Sequence, residues 1–111
     1  MQIKITARRF RAREELRQHT LDAVGKLDHF YDGIVSAAVI FSYERAANSV
    51  KSAEINLHVY GGVLTAREST DDYIKSVDAA VEKLTMQLRK YKSKLRLKDK
   101  TKVRAIKEEQ E

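Results

Sequence analysis

The stretch Asp71–Lys98, DDYIKSVDAAVEKLTMQLRKYKSKLRLK, decides the fold. Ile74, Val77, Val81, Leu84, Leu88, Tyr91 and Leu95 recur at alternating steps of three and four, which lines one stripe of an α-helix and defeats the two-residue period of a strand. Ser69 or Thr70 can cap its first turn, and Asp71 and Asp72 set negative charge against the positive end of the helix dipole. Toward the far end come Arg89, Lys90, Lys92, Lys94, Arg96 and Lys98, which suit the negative end of the dipole and make a dense positive field. At about 1.5 Å per residue the stretch is a rod of roughly 42 Å, long enough to project past a small core.

Upstream, Lys51–Tyr60 alternates Ala53, Ile55, Leu57 and Val59 against Glu54, Asn56, His58 and Tyr60, the pattern of a half-buried strand. Gly61-Gly62 predicts a two-residue hairpin with Tyr60 opposite Val63, so that Leu64 and Ala66 continue the apolar face. Ile34–Tyr43 is a further strand with Val35, Ala37, Val39, Phe41 and Tyr43 on one face, followed by a turn over Arg45–Val50 that holds Asn48-Ser49. From Arg13 to Phe30, Leu16, Thr20, Ala23, Leu27 and Phe30 recur at helical spacing, widened by Val24 and Tyr31. That helix has no capping side chain at its start, and Asp32-Gly33 is expected to end it, the glycine in a left-handed conformation. Gln2–Ala7 alternates Ile3 and Ile5 against Lys4 and Thr6, an opening strand.

The order β-α-β-β-β-α predicts an α+β fold, a four-stranded mixed sheet with two helices packed on one face. The first two strands are parallel if adjacent, because a helix connects them, and the others antiparallel. Residues 1–98 make one domain, and 99–111, of mixed charge and little apolar content, are expected as a flexible charged tail.

Net charge is +6 over 111 residues, and its distribution is uneven. Residues 1–13 carry five cations and no acid, 14–82 six cations and twelve acids, 83–104 ten cations and one acid, and 105–111 one cation and three acids. Positive charge gathered in the opening arm and the end of the long helix is the footprint of nucleic-acid binding, since net +9 in 22 residues exceeds what solubility requires. The cluster Arg8, Arg9, Arg11 and Arg13 around Phe10 reads equally as a phosphate contact or as the solvated approach to a helix.

Other chemistry finds no support. Without cysteine there is no disulfide, thiolate metal site or cysteine nucleophile, a composition that fits the cytosol. No run approaches 18 apolar residues, MQIKITARRF holds no apolar signal core, and the basic end of the long helix offers too few bulky apolar residues to lie on a membrane. His19, His29 and His58 are scattered without metal-ligand spacing, and Gly61-Gly62 is a hairpin rather than a phosphate loop. Tyr91, flanked by lysines, sits on the apolar seam, where packing is favoured over stacking on a base.

The opening strand with Thr6, then Lys26-Leu27, Asp71-Asp72-Tyr73, Val77-Asp78, Lys83-Leu84 and the run Gln87-Leu88-Arg89-Lys90-Tyr91-Lys92 are weak marks singly and specific in this order. Together they resemble the ribosome hibernation-promoting factors and ribosome-associated translation inhibitors, the sigma-54 modulation family, in its short form. The resemblance implies a fold like a double-stranded RNA-binding domain. It also implies a bacterial, cytoplasmic protein, monomeric when free, that binds the small ribosomal subunit between head and body, covers messenger and transfer RNA sites, and holds ribosomes inactive under stress or in stationary phase. Carried over by position, Arg8, Lys26, Lys83, Arg89, Lys90 and Lys92 would face ribosomal RNA. No reaction, cofactor, metal or small-molecule substrate is implied. Arg9, Arg11 and Arg13 match no part of the family pattern and stay unassigned. The competing readings are a double-stranded RNA-binding module of another kind and a protein-interaction domain that modulates a transcription factor.

Overall fold

In the computed structural model the backbone is described for residues 1–44 and 50–110, with side chains described up to Leu95. The expected turn through Asn48-Ser49 and the side chains of the expected tail lie outside the described residues. The elements are β1 (Gln2–Ala7), α1 (Glu14–Gly25) continued by a 3-10 turn (Lys26–His29), β2 (Ile34–Glu44), β3 (Val50–Val59), β4 (Gly62–Thr70) and α2 (Tyr73–Gln110). The backbone of α2 is helical past Lys98, where the apolar pattern stops. The sheet runs β1-β2-β3-β4, with β1 parallel to β2 and the other pairs antiparallel. This is the mixed four-stranded α+β arrangement that the strand and helix periods predict.

Both helices contribute to one core. Leu16, Val24 and Leu27 from the first helical segment and Val77, Ala80, Leu84 and Leu88 from α2 meet Ala37, Val39, Phe41, Ala53, Ile55, Leu57 and Val59 of the sheet. Phe41, Leu27, Ile55, Leu57, Leu84 and Leu88 are fully buried, each contributing roughly 1.5–3 kcal/mol through removal of apolar surface from water. The buried hydroxyls are matched: Thr20 donates to the Leu16 carbonyl at 2.7 Å, Ser76 to the Lys51 carbonyl at 2.7 Å, and Ser52 and Ser69 share a bond of 2.8 Å. The seam is narrower than expected, since Ile74, Val81, Tyr91 and Leu95 lie at its margins while Ser76 and Ala80 occupy its centre. On α1 it is Val24, not Ala23, that is fully buried.

Four local expectations are corrected. The register of β2 on β3 shifts between Ile34 and Ser36, so Ile34 is buried and Val35 points out with 61% of its surface exposed. Gly33 has no positive φ; a Cβ there would lie 2.5 Å from the tip of the Tyr31 ring, so the glycine leaves room for that ring, and the helix closes by tightening into the 3-10 turn. The hairpin turn is Tyr60-Gly61, with Val59 opposite Gly62. Tyr60 is drawn out of the ladder because its N–H donates to the Gly33 carbonyl at 2.8 Å and its carbonyl accepts from the Tyr91 hydroxyl at 2.7 Å, while Gly61 takes φ +91°. Partners on β4 move by two residues, an even shift, so Leu57 faces Leu64 in place of Ala66 and the apolar face is kept. Finally, α2 is capped by Asp72, whose Oδ1 accepts the Ile74 N–H at 3.2 Å, while the Thr70 hydroxyl accepts the Asp72 N–H at 3.1 Å and shapes the turn before it.

Candidate nucleic-acid interface

The two helices face each other along a stripe marked by His19 of α1 and Asp78 of α2, whose Nε2 and Oδ1 are 2.7 Å apart. At 3.6 residues per turn, Lys26 follows His19 by two turns, and Arg89 follows Asp78 by about three, so both return to that stripe. Lys92, one turn beyond Arg89, donates to the Phe30 carbonyl at 3.4 Å, and the Arg89 guanidinium lies over the Phe30 ring at 5.7 Å from its centroid. Phe30 thus ties the end of the α1 segment to α2 and orients Arg89 and Lys92, while helical spacing brings Lys26 to the same groove between the helices; all three are exposed. None of the three is in an ion pair among the described residues, so their charge is open to a partner.

Lys83 and Lys90 are two turns apart and occupy the opposite flank of α2, the one toward β4. There Gln87 donates to the Thr65 carbonyl at 3.0 Å, and the Lys83 ammonium is paired with the Glu68 carboxylate. Lys83 is therefore partly neutralised, whereas Lys90 is exposed. Tyr91 packs against Tyr31, ring centroids 5.8 Å apart, and its hydroxyl is committed to Tyr60. It is part of the scaffold.

Arg8 stands elsewhere. Its N–H donates to the Phe41 carbonyl at 2.9 Å, which places it at the end of the sheet where α2 begins. From Tyr73 to Arg89 the helix rises about 24 Å, so the six residues singled out by sequence form a trio at one groove, a pair on the far flank of α2, and Arg8 at the other end. Sequence reasoning left Arg9, Phe10, Arg11 and Arg13 without a place. Phe10 stacks on Tyr73 at 4.8 Å, and burial, reinforced by the neighbouring Tyr43, pushes the Tyr73 phenol above its usual range. The signal for this was the acid-free opening segment; what the sequence lacked was the aromatic partner 63 positions away.

Among the described residues no cluster of three or more His, Cys, Asp or Glu side chains could hold a metal ion, and no helix is long and apolar enough to cross a membrane. Fold and charge together define a class: a small α+β domain that presents exposed cations on its helical side. The family model described as sigma 54 modulation protein / S30EA ribosomal protein matches residues 3–96, and the chain belongs to that family, one of binding factors rather than enzymes. It is 30% identical over 96 residues to the ribosome hibernation promoting factor of Escherichia coli (strain K12), covering 86% of this chain and 98% of that one. A ribosomal subunit interface protein from Coxiella burnetii superposes with a TM-score of 0.76 at 28% identity, over 84% of this chain and 99% of that one. The N-terminal domain of Thermus thermophilus Protein Y gives 0.72 at 27% identity, over 82% and 99%.

Proposed function

We propose that this chain is a ribosome hibernation factor that binds the small ribosomal subunit between head and body, occupies the messenger and transfer RNA region, and keeps ribosomes inactive under stress or in stationary phase. The observation that carries the reading is the boundary between the helices, where Phe30 holds Arg89 and Lys92, helical spacing brings the exposed Lys26 to the same side, and none of the three has a carboxylate partner among the described residues. Structured RNA offers phosphates at fixed spacing, and a rigid row of cations gains by releasing condensed counterions without reading base sequence. The names carried by the Escherichia coli and Coxiella burnetii relatives support a ribosomal partner. Lys83 and Lys90 extend the contact on the far flank of α2, and Arg8 adds to it at the end of the sheet where α2 begins. The protein acts by occupancy, as a cytoplasmic monomer when free, and performs no reaction.

The test is sedimentation of purified subunits and stationary-phase ribosomes with the protein. It should travel with the small subunit, be displaced by messenger and initiator transfer RNA, and leave the large subunit alone. Binding to a bare RNA duplex as tight as to the small subunit would replace this reading with a general double-stranded RNA-binding module. Indifference to ribosomes would leave the protein-interaction domain.

A further inference from the structure

At the opposite end of α2 from the groove, four arginines fall within the six residues Arg8–Arg13. None of them is in an ion pair among the described residues. The loop is fastened at three points: the Arg8 N–H to the Phe41 carbonyl at 2.9 Å, the Phe10 ring stacked on Tyr73 at 15° between planes, and the Arg13 carbonyl accepting the Arg17 N–H at 3.0 Å. Tyr73 is itself set edge-on to Phe41 in the core, with ring centroids 5.4 Å apart. To seat Phe10 inward, the chain must turn at Arg9, which takes φ 65°, the left-handed region that costs any residue with a side chain and favours glycine. A strained arginine where glycine would be relaxed is the pattern found where a side chain is kept for binding.

Beside it lies a cleft of about 530 Å³ lined by Arg8, Arg9, Phe10, Tyr43 and Tyr73. Among the described residues its lining is three aromatic rings and two arginines, with no carboxylate. The adjoining clefts, on the side of Arg11 and Arg13, include Glu14, Glu15 and Asp72, so the open positive charge is at Arg8 and Arg9. Tyr43 keeps 43% of its surface exposed at the mouth. Flat rings beside unpaired guanidinium groups are what a single-stranded nucleotide unit requires: the base stacks and the phosphates are bound by arginine.

We propose that this cleft is a second RNA-binding site, which takes one nucleotide of a single strand with its base against Tyr43 and Phe10 and its flanking phosphates on Arg8 and Arg9. The site shares Arg8 with the ribosomal reading but does not rest on the groove, being about 24 Å away along α2 and suited to an unpaired strand rather than a folded one. An acidic peptide would satisfy the arginines but leave the aromatic rings without a flat partner.

The test is an amide chemical-shift titration of the full chain with a four-residue oligouridylate, run beside inorganic phosphate and hexaglutamate. The oligonucleotide should shift residues 8–10, 43 and 73 and bind about tenfold more weakly to Tyr43→Ala, in line with the loss of one stacked base. Arg9→Gly should weaken it by a similar factor while leaving the melting temperature unchanged or raised, because glycine relieves the left-handed turn; loss of binding without loss of stability separates a ligand role from a structural one. Shifts confined to residues around Lys26, Arg89 and Lys92, unaltered by Arg9→Gly, would overturn the site. Phosphate binding as tight as the oligonucleotide would reduce it to a simple anion site, and hexaglutamate binding as tight would make it a protein contact; either result overturns the proposal.

Discussion

On the flank of α2 that faces α1, Arg89 and Lys92 lean on Phe30 and keep their charge, whereas on the flank that faces β4 Lys83 is paired with Glu68 and only Lys90 stands free among the residues singled out there. The two flanks have similar composition and differ in what the neighbouring element supplies. Next to an aromatic ring and a carbonyl, a cation is oriented without being neutralised; next to a carboxylate, it must be drawn away from one partner to meet another. An inventory of lysines and arginines therefore overstates a binding surface unless each cation is checked for a resident partner.

The largest effect should come from the seam that holds both flanks in place. Leu88 is fully buried between them, and Leu88→Ala should cost about 2–5 kcal/mol of stability in a denaturant titration, since it opens a cavity in a packed core. A cost below about 1 kcal/mol would show that α2 is not seated as described. Next is the pair Arg89→Glu with Lys92→Glu, which should lower affinity for the small subunit on the order of a hundredfold or more, because repulsion replaces attraction at two adjacent contacts. Both side chains are exposed, so the circular dichroism spectrum should be unchanged.

The flank toward β4 should respond less. Lys83→Glu with Lys90→Glu should reduce binding by roughly tenfold, since one of the two cations is already matched by a carboxylate. A loss equal to that of the α1 flank would erase the distinction between them. The smallest effect, with the opposite sign, is expected for Glu68→Gln, which releases Lys83: affinity should rise by about two- to threefold, and stability should fall by less than about 1 kcal/mol because the pair is partly solvated.

Much of this was legible in the sequence, and the parts that were not have physical causes. The long helix and the alternation of β3 are strong periodic signals, and the core face of the sheet survived an error in the hairpin turn because the shift was even. Ile34 and Val35 exchanged places because a register shift costs one residue and leaves no trace in hydrophobicity. The cap moved from Ser69 or Thr70 to Asp72 because β4 extends to Thr70, and pairing along a strand is settled by its partner. Of the candidate site, helical spacing already separates Lys83 and Lys90 from Arg89 and Lys92. The pairing of Lys83 with Glu68, and of Phe10 with Tyr73, depends on residues 15 and 63 positions apart that only the folded chain brings together.

The central claim is that the groove cations meet phosphate, and a salt series measures this directly. Affinity for purified small subunits should be followed from low to moderate salt for the parent chain and for the triple variant Lys26→Gln, Arg89→Gln, Lys92→Gln. Each phosphate contact contributes somewhat less than one to the slope of log affinity against log salt, so the variant's slope should be shallower by about two to three. A variant that binds more weakly with the parent's slope, or binds as the parent does, would contradict the assignment of these three residues to ribosomal RNA.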